Sequence, residues 1–328
     1  MSDWGPLAGI FPALISWTVI VMIRGSAWAS RLADRPNERS LHTVPTPRVG
    51  GLGVMAGALP FAFVLGDDAI RVVAGCAGLL ALVSFADDIE SLPIQVRLPA
   101  HTAAAIVAVL VIAAPSGTRG GLNVVEGVAA ILALVWMTNL YNFMDGSDGL
   151  AGGMAVIGFG ALAVAAWQAN ALPLAFAAMA IASASGGFLV HNFPPARVFL
   201  GDAGSVPLGF LAGALGLQGA VIDAWPAWFP VLVFSPFIVD ASLTLARRVA
   251  RGEPFWKAHR SHLYQRLVLG GWTRQRLAWC CYALMAAAAA SALVARTAEP
   301  PAGFGIILLW VVAYLMIFIA IGRRTRAA

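Results

Sequence analysis

The chain has 328 residues, 60% of them hydrophobic and 11% charged, with a mean hydropathy of +0.81. A soluble domain needs more polar surface than this, so the composition is that of a polytopic membrane protein. The net charge of +5 reads as a topology signal with some attraction to anionic head groups, and implies no nucleic acid.

Apolar runs of about 17 to 22 residues, each able to cross a hydrocarbon layer of about 30 Å, predict an all-α fold with eleven spans. They lie near 6–23, 50–66, 69–86, 98–115, 123–143, 150–167, 172–190, 204–222, 226–246, 277–295 and 303–321. Lys and Arg collect in loops kept cytoplasmic. With a periplasmic N-terminus and a cytoplasmic C-terminus, every Lys and Arg except Arg71, Arg119 and Arg296 falls inside. Ala27-Trp28-Ala29 looks like a cleavage site, but no positive region precedes the apolar stretch, so 6–23 is expected to be a retained span. Cys76 and the adjacent Cys280 and Cys281 give neither a disulfide framework nor zinc spacing. With no soluble segment or internal repeat evident, residues 1–328 are expected to form one integral-membrane domain.

The chemistry falls on five loops of one face, 24–49, 86–98, 143–149, 191–203 and 247–276. In chain order, HTVPTPRVGG at 42–51 is a structured turn entering a span, where His42 and Arg48 are equally suited to substrate contact and to structure. Asp87 and Asp88 end the third span. Two carboxylates at a helix C-terminus sit badly with the macrodipole, so they point to a cation, a raised pKa or a catalytic pair. Asn139, Asn142 and Asp145 recur at i, i+3, i+6 before Gly146 and Gly149 loosen the chain. Such a face can hold a hydrated divalent ion and hydrogen-bond a nucleotide or sugar.

In FLGDAGSVPLG at 199–209, Gly204 and Ser205 open a helix whose N-terminus suits an anion, and Asp202 suits an Mg²⁺ that bridges phosphates. The plainer alternative is an Asp N-cap. Asp240, Thr244 and Arg247 share a helix face, and an internal pair of Asp240 with Arg247 or Arg248 is expected. His259, Arg260, His262, Tyr264 and Arg266 lie in the most basic loop. They lack a zinc-site partner, and beside an Mg²⁺ site they suit a grip on phosphate.

DDIESLP, NLYNFMDGSDGLAGG, FLGDAGS and HRSHLYQRL, in this order behind HTVPTPRVGG, resemble the polyprenyl-phosphate N-acetylhexosamine-1-phosphate transferases over residues 42–275. That superfamily includes the peptidoglycan phospho-MurNAc-pentapeptide translocase and enzymes that start O-antigen, enterobacterial common antigen and teichoic acid synthesis. The resemblance implies ten or eleven spans, a cytoplasmic active site and dependence on Mg²⁺, with Mn²⁺ as a substitute. It implies catalytic roles for Asp87, Asp88, Asp145, His259 and His262, and metal binding by Asp202 with Asn142. It implies substrate contacts for Asn142 and Asp148, and the residues themselves add Arg48, Asn139, Gly204, Ser205 and Arg260 as expected contacts. Glu90 and Ser91 stand where many members carry a third Asp, Asn or Lys. HRSH is nearer the O-antigen type than the translocase.

The implied reaction joins undecaprenyl phosphate to the sugar-linked phosphate of a UDP-N-acetylhexosamine and releases UMP. It is the first membrane step of an envelope polysaccharide, run in the bacterial inner membrane, and the oligomeric state stays open, with a homodimer among the options. The competing readings are an ion-coupled transporter, which predicts acids near the midplane in two related halves, and the peptidoglycan-precursor reaction of the same superfamily.

Overall fold

The computed structural model describes residues 5–34, 36, 44–114, 122–253, 259–298 and 300–324. His42, Arg35, Arg39, Arg119, Lys257 and Arg326 lie outside them.

The chain opens with α1 (Gly5–Arg24) and the single turn α2 (Trp28–Arg31), then two short strands, β1 (Ala33–Asp34) and β2 (Thr46–Pro47), paired antiparallel. Seven helices follow: α3 (Gly50–Leu65), α4 (Asp68–Glu90), α5 (Ile94–Ala113), α6 (Val124–Phe143), α7 (Leu150–Gln168), α8 (Leu172–Asn192) and α9 (Asp202–Val221). The last five are α10 (Trp228–Val233), α11 (Ser235–Ala250), α12 (Leu263–Leu269), α13 (Arg274–Thr297) and α14 (Pro300–Arg324). Local chemistry sets several starts. Asp67 accepts the Ile70 amide at 2.8 Å to cap α4, and Asn123 with Glu126 forms a reciprocal capping box on α6.

The protein is nearly all-α and polytopic. Among the described residues nine helices are long and apolar enough to cross a membrane: α1, α4 to α9, α13 and α14. Two predicted spans differ from simple expectation. At 16 residues, α3 is short, and the span at 226–246 is broken at Phe234 into α10 and α11. Proline explains the break, because Pro236 lacks an N–H for the ladder and suits the first turn of a new helix.

Burial ranks the helices. The spanning windows of α7 and α9 are 72% and 78% buried, whereas that of α14 is 11% buried. The centre is therefore α7, α8 and α9, with α3, α4 and α6 packed on them. Lipid is as apolar as leucine, so helices here are drawn together by close packing. A Cβ on Gly51 would lie 2.3 Å from the Gly204 backbone nitrogen, so α3 and α9 touch backbone to backbone at their first turns. The chain reinforces that junction, since Phe199 donates to Pro47 O, and Gly50 and Gly51 donate to Phe199 O and Leu200 O at 2.8–2.9 Å. This fixes the start of α9 beside the end of α4.

Candidate active site

Asp88 caps α9 across a long sequence gap. Its Oδ1 accepts the Asp202 amide at 3.2 Å and its Oδ2 the Ala203 amide at 3.1 Å. Gly201 allows this approach, with φ of 74° and a site where a Cβ would meet Asp88 Oδ2 at 2.9 Å. The helix N-terminus expected to receive a substrate anion is thus already occupied by a carboxylate of the protein. Gly204 is correspondingly packed on Gly51, and Ser205 is fully buried with its hydroxyl donated to Gly201 O at 3.2 Å. Both serve the helix junction, beside the substrate contact expected of them.

Arg48 closes the other side of Asp88. Its guanidinium lies 3.5 Å from Asp88 and 2.7 Å from Asp34. Burial opposes its charge, but Asp34, Asp88 and Asp202 outweigh that and raise its pKa. Asp87 turns the opposite way, accepting the Leu92 amide at 2.6 Å and Arg97 Nη1 at 2.8 Å. The same nitrogen lies 3.9 Å from Asp202 Oδ2. Arg97 entered the sequence reading only as a topology marker; its position ten residues beyond Asp87, at the start of α5, was the available signal.

The end of α6 forms the facing wall. Asn142 is hydrogen-bonded to Asp202, and Asp145 follows one turn later, its amide donating to Asn142 O. Burial first, then the charges of Asp202 and Asp88, push the Asp145 carboxyl well above the usual carboxylate range, while Arg48 pulls it down. Asn139 lies a turn deeper. Its amide donates to Val135 O at 2.7 Å and it is hydrogen-bonded to His101 on α5, so it links helices and does not share the site face as expected.

Asp148, expected at the substrate, has partners within the protein. It is buried, accepts the Ala196 amide at 3.0 Å and pairs with Arg274 at 3.2 Å, clamping the loop after α8 and the start of α13 onto the 145–149 turn. Gly149 completes the clamp through Asn192 and Tyr282.

The histidine loop reaches the same wall through Tyr264, whose hydroxyl donates to Phe143 O at 3.1 Å and whose ring stacks on His262 at 5.8 Å. Asp240 carries this loop. Its oxygens accept the Leu263 and Tyr264 amides at 2.8 and 3.1 Å, in place of the expected pair within its own helix. Arg248 goes instead to Glu253 at 2.9 Å, and Arg247 lies over the Phe318 ring. His259, 4.9 Å from His262 ring to ring, takes a contact from the Ser261 hydroxyl at 2.9 Å. Burial, then the neighbouring His262 and Arg248, lower its pKa to about 4, so it is neutral near pH 7 and not the expected cationic grip. Arg260 is exposed.

Four carboxylates, Asp87, Asp88, Asp145 and Asp202, therefore meet two guanidiniums, Arg48 and Arg97. Asp87 has Arg97 and the Leu92 amide, while Asp88 has two α9 amides and shares Arg48 with Asp34. Asp145 and Asp202 carry the surplus. Among the described residues no group of three His, Cys, Asp or Glu could close on a metal, which argues against a protein cage of the zinc or calcium kind. Two carboxylates and an amide do suit Mg²⁺, which keeps most of its shell for water and phosphate. The residues able to hold such an ion are Asp202, Asn142 and Asp145.

The model of glycosyl transferase family 4 matches residues 70–220, the stretch that carries the acidic pair, the 139–153 turn and Asp202. Over that stretch, just under half of the chain, the sequence is similar to this family. Among its relatives, the probable undecaprenyl-phosphate N-acetylglucosaminyl 1-phosphate transferase of Bacillus subtilis (strain 168) is 28% identical, over 81% of this chain and 77% of its own length. The decaprenyl-phosphate N-acetylglucosaminephosphotransferase of Mycolicibacterium smegmatis is 29% identical over 97% and 89%. The undecaprenyl-phosphate alpha-N-acetylglucosaminyl 1-phosphate transferase of Escherichia coli (strain K12) is 29% identical over 79% and 75%. Family 4 favours a membrane transferase over the ion-coupled transporter.

Proposed function

We propose that this protein transfers N-acetylhexosamine 1-phosphate from a UDP-sugar to undecaprenyl phosphate, forming undecaprenyl-diphospho-sugar and releasing UMP. The observation that carries the reading is the meeting of Asp88, Asp202, Asn142 and Asp145 at one end of α4, α6 and α9, with carboxylates outnumbering guanidiniums. A divalent cation held there offsets that excess and lets the anionic diphosphate approach. The relatives' names make UDP-N-acetylglucosamine the first donor to try, and the arginines of the loops at this end support a cytoplasmic site in a bacterial inner membrane.

The transfer joins two anions, so positioning and charge neutralisation supply most of the catalysis. Mg²⁺ on Asp202 and Asn142, with Asp145 behind them, would neutralise charge on the diphosphate. Arg48 and Arg97 set the geometry of the acidic pair and add positive potential where the lipid phosphate approaches. That phosphate, with a second pKa near about 6, is mostly ionised at neutral pH and needs little help from a base. Direct attack of its oxygen on the sugar-linked phosphorus is favoured over a phosphorylated aspartate. Both oxygens of Asp88 are engaged by α9 amides, and Asp87 is held by Leu92 and Arg97; a nucleophile drawn from either would first have to release them.

The experiment is purified protein with undecaprenyl phosphate and labelled UDP-N-acetylglucosamine, with and without Mg²⁺. UMP release that requires both lipid and metal supports the reading. No UMP from any UDP-N-acetylhexosamine tried would overturn it.

A further inference from the structure

We propose that Asp240 is the positioning residue of the histidine loop, holding α12 and the His262 ring so that Nε2 is the nitrogen that meets substrate. The inference rests on the transferase reading. Asp240 is buried on α11, and three groups from two directions converge on its carboxylate: the Leu263 and Tyr264 amides of α12, and the Thr244 hydroxyl at 3.2 Å from its own helix. A seven-residue helix does not hold itself in place. Its placement comes from this cap and from the Tyr264 hydroxyl on Phe143 O.

The carboxylate also faces His262. Nδ1 of that ring is enclosed, has no aligned hydrogen bond, and lies 3.4 Å from Asp240 Oδ1. An anion there selects the tautomer with its proton on Nδ1 and leaves Nε2 available. The other groups around the ring are Tyr264, stacked on it, His259 and Phe143, tilted against it, and Gln265 of the same capping turn, and none offers an anion. A plain helix cap needs only an acceptor, which asparagine supplies in part. The negative charge is what the imidazole uses, and substitution separates the two roles.

Full-length protein carrying D240N, H262Q or both is assayed for UMP release, beside ¹⁵N-histidine spectra that report which ring nitrogen carries the proton. D240N is expected to lower kcat by about tenfold or more while the UDP-sugar KM changes by less than about threefold. The double variant is expected to be no slower than H262Q alone, because Asp240 acts through His262. In the spectra, wild-type His262 carries its proton on Nδ1, and D240N redistributes it. Wild-type kcat in D240N, or effects that multiply independently in the double variant, would overturn the proposal. If D240N does not fold, T244V takes its place; it loosens the carboxylate without removing its charge, and an unchanged His262 spectrum together with unchanged kcat would count against the proposal. If the wild type releases no UMP, the transferase reading fails, while an unaltered His262 tautomer in D240N separately refutes the positioning role.

Discussion

Asp202 is the residue on which the electrostatics of the site converge. It takes the Asn142 amide, sits 3.9 Å from Arg97 and shares its surroundings with Asp88 and Asp145. Asp202→Ala is expected to reduce UMP release by about 10²-fold or more while leaving the yield and thermal midpoint of purified protein near wild type; comparable activity at any Mg²⁺ concentration would refute the metal assignment. Arg97→Gln strands Asp87 in a nearly buried position. Breaking a buried pair costs about 3–5 kcal/mol, and the 39% exposure of Arg97 reduces this through solvent screening to about 1–2 kcal/mol. A lower thermal midpoint is expected there. Arg71→Gln, whose partner Asp68 is almost fully exposed, is expected to leave it unchanged.

His259 gives a pH effect with a definite sign. Its folded pKa of about 4 lies below the roughly 6.5 of an unfolded histidine. Between those values the unfolded chain binds the extra proton, so stability falls as pH is lowered through this window. His259→Gln is expected to flatten the decline of the thermal midpoint from pH 6.5 to 4. Asp202, Asn142 and Asp145 were legible in the sequence because polar groups ending an apolar run leave few structural uses. Asn139 was misread because helical periodicity reports a face but not a depth. Asp240 was misread because the arginines nearest in sequence concealed an α12 partner 23 residues away.

Among the elements, the α3–α9 junction governs the site's shape. Gly51→Val would drive its side chain into the Gly204 backbone. Overpacking typically costs about 1–3 kcal/mol and more where backbone must move. Detergent-solubilised Gly51→Val is expected to lose its folded peak in size exclusion. Gly75→Ala, with nothing near the added carbon, is expected to behave as wild type. The helices themselves were largely legible, since a hydropathy run marks each one. The junction was not: two glycines 153 residues apart in number, Gly51 and Gly204, carry no mutual signal in one sequence. The break at Phe234 was hidden inside a run whose average hydropathy stayed high across Pro230 and Pro236.

At the scale of the molecule, burial falls from α7–α9 outward to α1 and α14, so the site joins one central helix, α9, to the less buried α4 and α6. The orientation drawn from the arginines is testable on that scaffold. A cysteine placed at the exposed Arg260, in a variant lacking the three native cysteines, is expected to react with an impermeant maleimide in inside-out vesicles and not in intact cells; the reverse result would invert the topology.

The cap of α9 by Asp88 also constrains how the chain is made. Its acceptor oxygens wait for amides 114 and 115 residues downstream. At about 5–20 residues per second of synthesis, that interval is roughly 6–23 s. During it α4 has been delivered while Asp88 still lacks both of its amide donors, so its carboxylate must stay near water at the head-group boundary. The adjacent aspartates thus act as a brake on how deeply α4 can sink before α9 arrives, and the site can close only when the ninth helix is in place.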